Sequence, residues 1–137
     1  MFSHIILGAR DLETMAVFYD AVLAPLGLER ENTYQDDGPA GMMWALPGRR
    51  WPQFFIQLPF NGLPATWGNG TQASFAAPSR AAVDAAWQAA MDHGGLDEGR
   101  PGLREGYDPD YYGAYCRDLE GNKLCFVHAE QMEKLFV

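Results

Sequence analysis

Apolar residues recur at steps of three and four in two places along the chain, and the two stripes are built alike. The first runs through Leu12, Met15, Ala16, Tyr19, Val22, Leu23 and Leu26, the spacing of one helix face. Asp11 precedes it as a capping side chain, and Gly27 supplies the left-handed residue that ends it. The second stripe runs through Val83, Trp87, Ala90 and Met91, opens on Ser79 and ends at Gly94-Gly95. Short runs of alternating residues surround both, a period of two that predicts strands. The two opening strands are HIILG (residues 4–8) and QASFA (residues 72–76).

A constant spacing of 68 residues relates the halves. It carries Met15 to Val83, Tyr19 to Trp87, Val22 to Ala90, Leu23 to Met91 and Gly27 to Gly95. It also carries His4 to Gln72, and in the closing strands PQFFIQLP (52–59) and NKLCFVHA (122–129) it carries Ile56 to Leu124 and Leu58 to Phe126. Repetition at a fixed period means one structural unit used twice. Each half reads strand, helix, strand, strand, strand. The expected organisation is a single domain over residues 1–137. One module spans 2–60, a linker 61–69, a second module 70–128, and a tail 129–137.

Alternation sorts the strand faces. Ile5, Leu7, Phe54, Ile56, Leu58, Ala73, Phe75, Leu124 and Phe126 share the apolar parity and must lie under the helices. His4, Gln57, Gln72 and Cys125 take the other parity, in two pairs at the common spacing, and define a second, concave surface. In Asp118-Leu119-Glu120-Gly121-Asn122, a type I turn closed by left-handed Gly121 pairs Asp118 with Asn122. Counting back sets Cys125 opposite Tyr115 and turns Cys116 to the helices, so the two cysteines lie on opposite faces and no disulfide is expected.

Composition narrows the class of protein. The chain has 137 residues, is 47% hydrophobic and 20% charged, and carries a net charge of −8, the balance of an ordinary globular chain. That charge argues against nucleic acid and anionic membrane as partners. With no leader and no bilayer-length apolar run, the expectation is a cytoplasmic protein.

The stretches HIILGARDLETMAVFYDAVLAPLGL, GNGTQASFAAPSRAAVDAAW and YYGAYCRDLEGNKLCF, at matching offsets, resemble the vicinal oxygen chelate superfamily, the glyoxalase, bleomycin-resistance and dioxygenase group. The resemblance covers roughly residues 2–129. It implies an α+β fold in which two βαβββ modules form a curled mixed sheet, a cup, with the helices outside and a ligand or metal within. It also implies a homodimer. In metal-using members the ligands come from the first and last strands of each module. That carries onto His4, Gln57, Gln72 and Cys125. The family pattern is histidine on the first strands and glutamate or histidine on the last, so only His4 matches. Gln72 stands where a histidine is common and Cys125 where a glutamate is common. Glutamine carbonyls add no charge to offset the desolvation of a dication, so no cofactor is favoured. If an ion (Zn, Ni, Fe or Mn) is held, its ligands are His4, Gln72 and Cys125.

Two functions follow from the resemblance. In the first, the cup binds a small organic molecule: His4, Gln57, Gln72 and Tyr115 exchange hydrogen bonds with it and Tyr112 supplies an aromatic wall. In the second, a glyoxalase-like lyase or isomerase acts on a small carbonyl compound with a divalent metal. His4 and Cys125 are then the catalytic candidates, with His4 as base for the thiol. Extradiol dioxygenase chemistry, whose iron needs two histidines and a carboxylate, is not expected. Each candidate also has a structural reading: His4 as a strand histidine bonded to a neighbour, Cys125 as a small core hydrophobe. Residues 95–112, rich in glycine, proline and charge, read either as a loose connection with a weak edge strand or as a lid carrying Arg104, Tyr107, Tyr111 and Tyr112. Trp44, Trp51 and Trp67 read as cavity wall, dimer contact or half-buried aromatics. His93 and His128 are given no function.

Overall fold

The computed structural model describes residues 1–31 and 37–137, and in it each half of the chain folds as the same unit. The first module contains β1 (His4–Gly8), α1 (Leu12–Leu23), β2 (Glu29–Arg30), β3 (Gly41–Ala45) and β4 (Gln53–Gln57). The second contains β5 (Gln72–Ala76), α2 (Arg80–Asp92), β6 (Leu96–Leu103), β7 (Tyr112–Arg117) and β8 (Lys123–His128). A 3-10 turn at Ala24–Leu26 extends α1, and another at Glu130–Phe136 ends the chain. Both helices start where their caps require. Asp11 accepts from the Thr14 backbone N–H and Ser79 from that of Ala82, each at 3.1 Å, satisfying a donor that the first turn leaves unpaired.

Two four-stranded mixed sheets result, ordered β1-β4-β3-β2 and β5-β8-β7-β6. In each, the first strand runs parallel to the fourth, and the remaining pairs are antiparallel. The sheets are not closed on one another. The parity reading holds for the core: Leu7, Phe54, Ile56, Ala73, Leu124 and Phe126 are buried in one cluster with Met15, Phe18, Tyr19, Val22 and Leu23 of α1 and Ala82, Val83, Ala86 and Ala90 of α2. The alanine stripe of α2 lets the two helices pack closely. Phe54 and Phe75, one from each sheet, meet edge-on with centroids 5.0 Å apart, so both modules share one core. Leu58, expected on that face, lies past the end of β4 and is 39% exposed.

The register of the parallel pairs departs from the sequence reading. His4 pairs with Gln53 and Gly8 with Gln57, while Gln72 pairs with Lys123 and Ser74 with Cys125. Measured from the opening strands, the counterpart of Cys125 is therefore Phe55, at a spacing of 70 residues and not 68. The two-residue difference is even, so every face assignment survives it. The hairpin register agrees with the expectation: Tyr115 opposes Cys125, Cys116 opposes Leu124, and the Asp118 N–H donates to the Asn122 carbonyl at 2.9 Å. Gly121 takes φ 93°, and both cysteines are buried free thiols.

Residues 95–112 form an eight-residue edge strand, β6, with two register irregularities, followed by a turn. Its counterpart by offset, residues 27–44, holds the two-residue β2 and most of β3, and residues 32–36 of that stretch lie outside the described residues. The tail docks on its own chain. The Arg49 guanidinium donates to the Leu135 carbonyl at 2.7 Å and to that of Val137. His128, 7% exposed, is held through Nδ1 by the Ala77 carbonyl at 2.8 Å and lies 3.6 Å from Glu133 through Nε2. Among the described residues no helix is long and apolar enough to cross a membrane.

Candidate functional site

Alternation turns one face of the second sheet away from the core. Gln72 and Ser74 of β5, Lys123 and Cys125 of β8, and Tyr115 of β7 lie on it. Tyr111, just before β7, shares the parity of Tyr115 and reaches the same surface. A cavity of about 470 Å³ opens here, with Gln72, Lys123, Tyr111 and Tyr115 in its wall. The β6 side and the turn after it contribute Glu98, Gly99, Arg104 and Tyr107.

The polar groups form a connected set. The Tyr111 and Tyr115 hydroxyls share a hydrogen bond of 3.0 Å, and the Tyr111 hydroxyl lies 3.4 Å from Cys125 Sγ. The Gln72 amide donates to the Ser74 hydroxyl at 2.9 Å. Burial pushes the Tyr111 phenol well up, and its bonds to Cys125 and Tyr115 push it further. Burial likewise raises Tyr115. Both phenols are therefore neutral at physiological pH and available as donors. Burial also raises the Cys125 thiol, with hydrogen bonds from Tyr111, Ser74 and Tyr115 acting against it. Cys125 is fully buried. A thiol held neutral and covered is a poor nucleophile and a poor metal ligand.

Two glycines make room for these rings. A Cβ on Gly113 would lie 2.7 Å from the Tyr111 ring, and one on Gly99 would lie 3.0 Å from that of Tyr115. Arg104 and Lys123 sit 5.7 and 5.6 Å from the Tyr115 centroid. Glu98 is paired with Arg117 at 2.6 Å.

The other expected residues lie elsewhere. His4 is exposed, shares a 2.9 Å hydrogen bond with Ser3 and packs beside the rings of Trp51 and Phe55. It lines a different, mostly apolar cavity of about 580 Å³, which is walled by Ile5, Phe54, Phe75 and the tail residues Leu135 and Phe136. Gln57 is half-buried beside Gly8 and Gly41, four residues along the sheet from His4, or roughly 13 Å. The structure thus brings Gln72, Cys125 and Tyr115 together, adds Tyr111 and Lys123, and gives His4 other neighbours. Tyr112 is corrected as a cavity wall. Its parity turns it to the helix side, where its hydroxyl donates to Asp84 at 2.7 Å under the Arg80 guanidinium. Tyr111, expected as a lid aromatic, shares the strand parity of Tyr115, and Lys123, not anticipated, shares that of Cys125.

The three tryptophans have separate fates. Trp44 is buried and donates to Asp20 at 3.0 Å. Trp51 is half-exposed beside His4. Trp67 lies against Gly121, with the Arg117 guanidinium 5.3 Å over its ring. Among the described residues no group of three or more His, Cys, Asp or Glu side chains is arranged to hold a metal ion. His4, Gln72 and Cys125 make a poor set for one: His4 lines a different cavity from Gln72, the carboxamide brings no charge, and the Cys125 thiol is buried and held neutral.

Two βαβββ modules around a shared core, with polar side chains on an open sheet face, define a class of paired-module α+β protein. Comparison identifies the family. The sequence model of the "Glyoxalase/Bleomycin resistance protein/Dioxygenase superfamily" matches residues 1–126. The chain is similar to the crystal structure of a glyoxalase/bleomycin resistance protein from Albidiferax ferrireducens T118, with 39% identity and a TM-score of 0.78 over 93% of this chain and 98% of that one. A glyoxylase/bleomycin resistance protein/dioxygenase domain from Frankia sp. EAN1pec shares the fold at 17% identity and a TM-score of 0.70, over 95% of this chain and 98% of its own. A family enzyme from Burkholderia phytofirmans PsJN does so at 16% and 0.68, over 93% and 97%. No curated protein matches the sequence. The chain belongs to the glyoxalase/bleomycin resistance protein/dioxygenase superfamily.

Proposed function

We propose that the protein binds a small organic molecule in the cavity over the second sheet, held by hydrogen bonds from Gln72, Tyr111 and Tyr115. The observation that carries this reading is the convergence of two neutral phenol hydroxyls and a carboxamide on one cavity of about 470 Å³. That volume suits a drug-sized ligand, and the mix of ring faces and polar tips suits an aromatic or carbonyl-containing one. Binding without turnover is favoured by the state of the one thiol at the site, which is covered and neutral.

The test is a thermal-shift screen of a metabolite library containing neutral, cationic and anionic compounds. It is run on the wild type and on Tyr115→Ala, since a ligand that binds only the native state raises its midpoint. The reading expects hits that stabilise the wild type and lose most of their effect in the variant. Hits that stabilise both equally would move the site elsewhere, to the apolar cavity beside His4 in the first instance.

A further inference from the structure

The charge around this cavity is opposite to that of the molecule. The chain carries a net charge of −8, yet the two cations at the cavity, Arg104 and Lys123, have no carboxylate at ion-pair distance among the described residues. The one carboxylate in the lining, Glu98, is already taken by Arg117 at 2.6 Å. The two cations approach Tyr115 from different strands. Lys123 stands on β8, diagonally beside it, and Arg104 follows the end of β6.

Arg104 is held in position by its surroundings. Its guanidinium folds back along β6 and donates to the Arg100 carbonyl at 2.6 Å. It lies over the two glycines of that strand: a Cβ on Gly102 would come within 3.0 Å of one terminal nitrogen, and a Cβ on Gly99 within 3.3 Å of the other. Side chains at those positions would push it out of the cavity. One hydrogen bond to a carbonyl leaves most of its five N–H donors unused. The Lys123 ammonium adds further donors, a ligand can draw on the phenol pair by taking the place of one of its mutual bonds, and among the described lining residues the one carboxylate is Glu98, already paired with Arg117.

We propose that the ligand of this cavity is an organic anion, a carboxylate on a flat unsaturated body, with Arg104 and Lys123 as its charge partners and the Tyr107, Tyr111 and Tyr115 rings as the walls for its flat part. This rests on the binding reading above and names the chemical class that it selects. A planar guanidinium matches the two oxygens of a carboxylate, and donors aimed into a partly covered pocket gain more from a charged acceptor than from a neutral one.

The experiment uses three probes of one shape: 2-naphthoate, 2-naphthamide and 2-naphthylmethylammonium. Each is titrated into the ¹⁵N-labelled full chain, with the backbone amides of Gln72, Gly99, Gly113 and Tyr115 as reporters. Naphthoate is expected to shift these amides and to bind at least about tenfold tighter than the amide, the equivalent of one charge-assisted contact. Arg104→Gln and Lys123→Gln should each narrow the gap between naphthoate and naphthamide to less than about threefold, and an unchanged urea midpoint checks that each half-buried replacement leaves the chain folded. If naphthamide or the ammonium probe binds at the same amides as tightly as naphthoate, the anion inference is overturned and the binding reading stands. If none of the three moves these amides, the anion inference is again overturned, and the library screen alone decides whether the cavity binds anything.

Discussion

The Tyr19 hydroxyl, on the helix of the first module, donates to Asp118 Oδ2 at 2.6 Å, in the last turn of the second. Both residues are buried. The same carboxylate accepts from the backbone N–H groups of Glu120 and Asn122 at 2.9 and 3.0 Å and from the Asn122 side chain at 2.8 Å. One buried carboxylate therefore fixes the β7–β8 turn and ties it to the opposite module. The turn in turn sets the hairpin register that carries Tyr115 and Cys125.

Replacing Tyr19 by Phe keeps the ring and removes one hydrogen bond to a buried charge. Such bonds are worth about 1.5–3 kcal/mol. Urea unfolding should show a loss of that size with an unchanged slope against denaturant. A variant as stable as the wild type would mean that the bond contributes nothing net and that ring packing alone joins the modules.

Alkaline pH should unfold the protein through its buried thiols. Burial, with the Asp118 carboxylate nearby, pushes Cys116 from an ordinary value of 9.0 up to about 12. In the unfolded chain the thiol ionises near the lower value, while the folded chain keeps the proton. Stability from this group is intact below about pH 9 and is lost as pH rises from there to about 12, by about 1.4 kcal/mol per unit as an upper bound. Cys125 is raised in the same direction. Unfolding free energy measured across this range should fall less steeply for Cys116→Ala than for the wild type. Identical slopes would place the alkaline loss elsewhere.

Gly99 takes φ 156°, a conformation that other residues adopt at a cost, and its missing side chain leaves space for Tyr115 and Arg104. Gly99→Ala should destabilise the chain by about 1–3 kcal/mol and displace both groups. Denaturant unfolding gives the first quantity, and loss of stabilisation by the screen's hits gives the second. A variant that keeps both would show that the edge strand adjusts freely.

The sequence revealed the duplication, the helix caps, the core parity and the β7–β8 register, because each rests on local chemistry or on a tight turn. Asp118 and Gly121 determine which residues face each other for the whole of that hairpin. The parallel pairs have no such turn. β1 and β4 are joined through a helix and two strands, so nothing short-range decides whether His4 meets Gln53 or lies nearer Gln57. Extrapolating the helix spacing of 68 residues to the closing strands missed the shift to 70 that the strand pairing shows. Parity was safe against an even shift, but proximity was not: Gln57 lies four residues along the sheet from His4 and not beside it. The grouping of His4 with Gln72 and Cys125 depended instead on how the two modules meet, which no local signal in either half reports. Tyr112 was an error of a different kind, since the count that selected Tyr115 excludes it.

The central claim is that the ligand sits over the second sheet and away from His4. A crystal structure with a stabilising hit from the screen tests it most directly. The account expects density within hydrogen-bond distance of the Tyr111 and Tyr115 hydroxyls and of Gln72. Density beside His4, between β1 and β5 in the apolar cavity under the C-terminal turn, would contradict it.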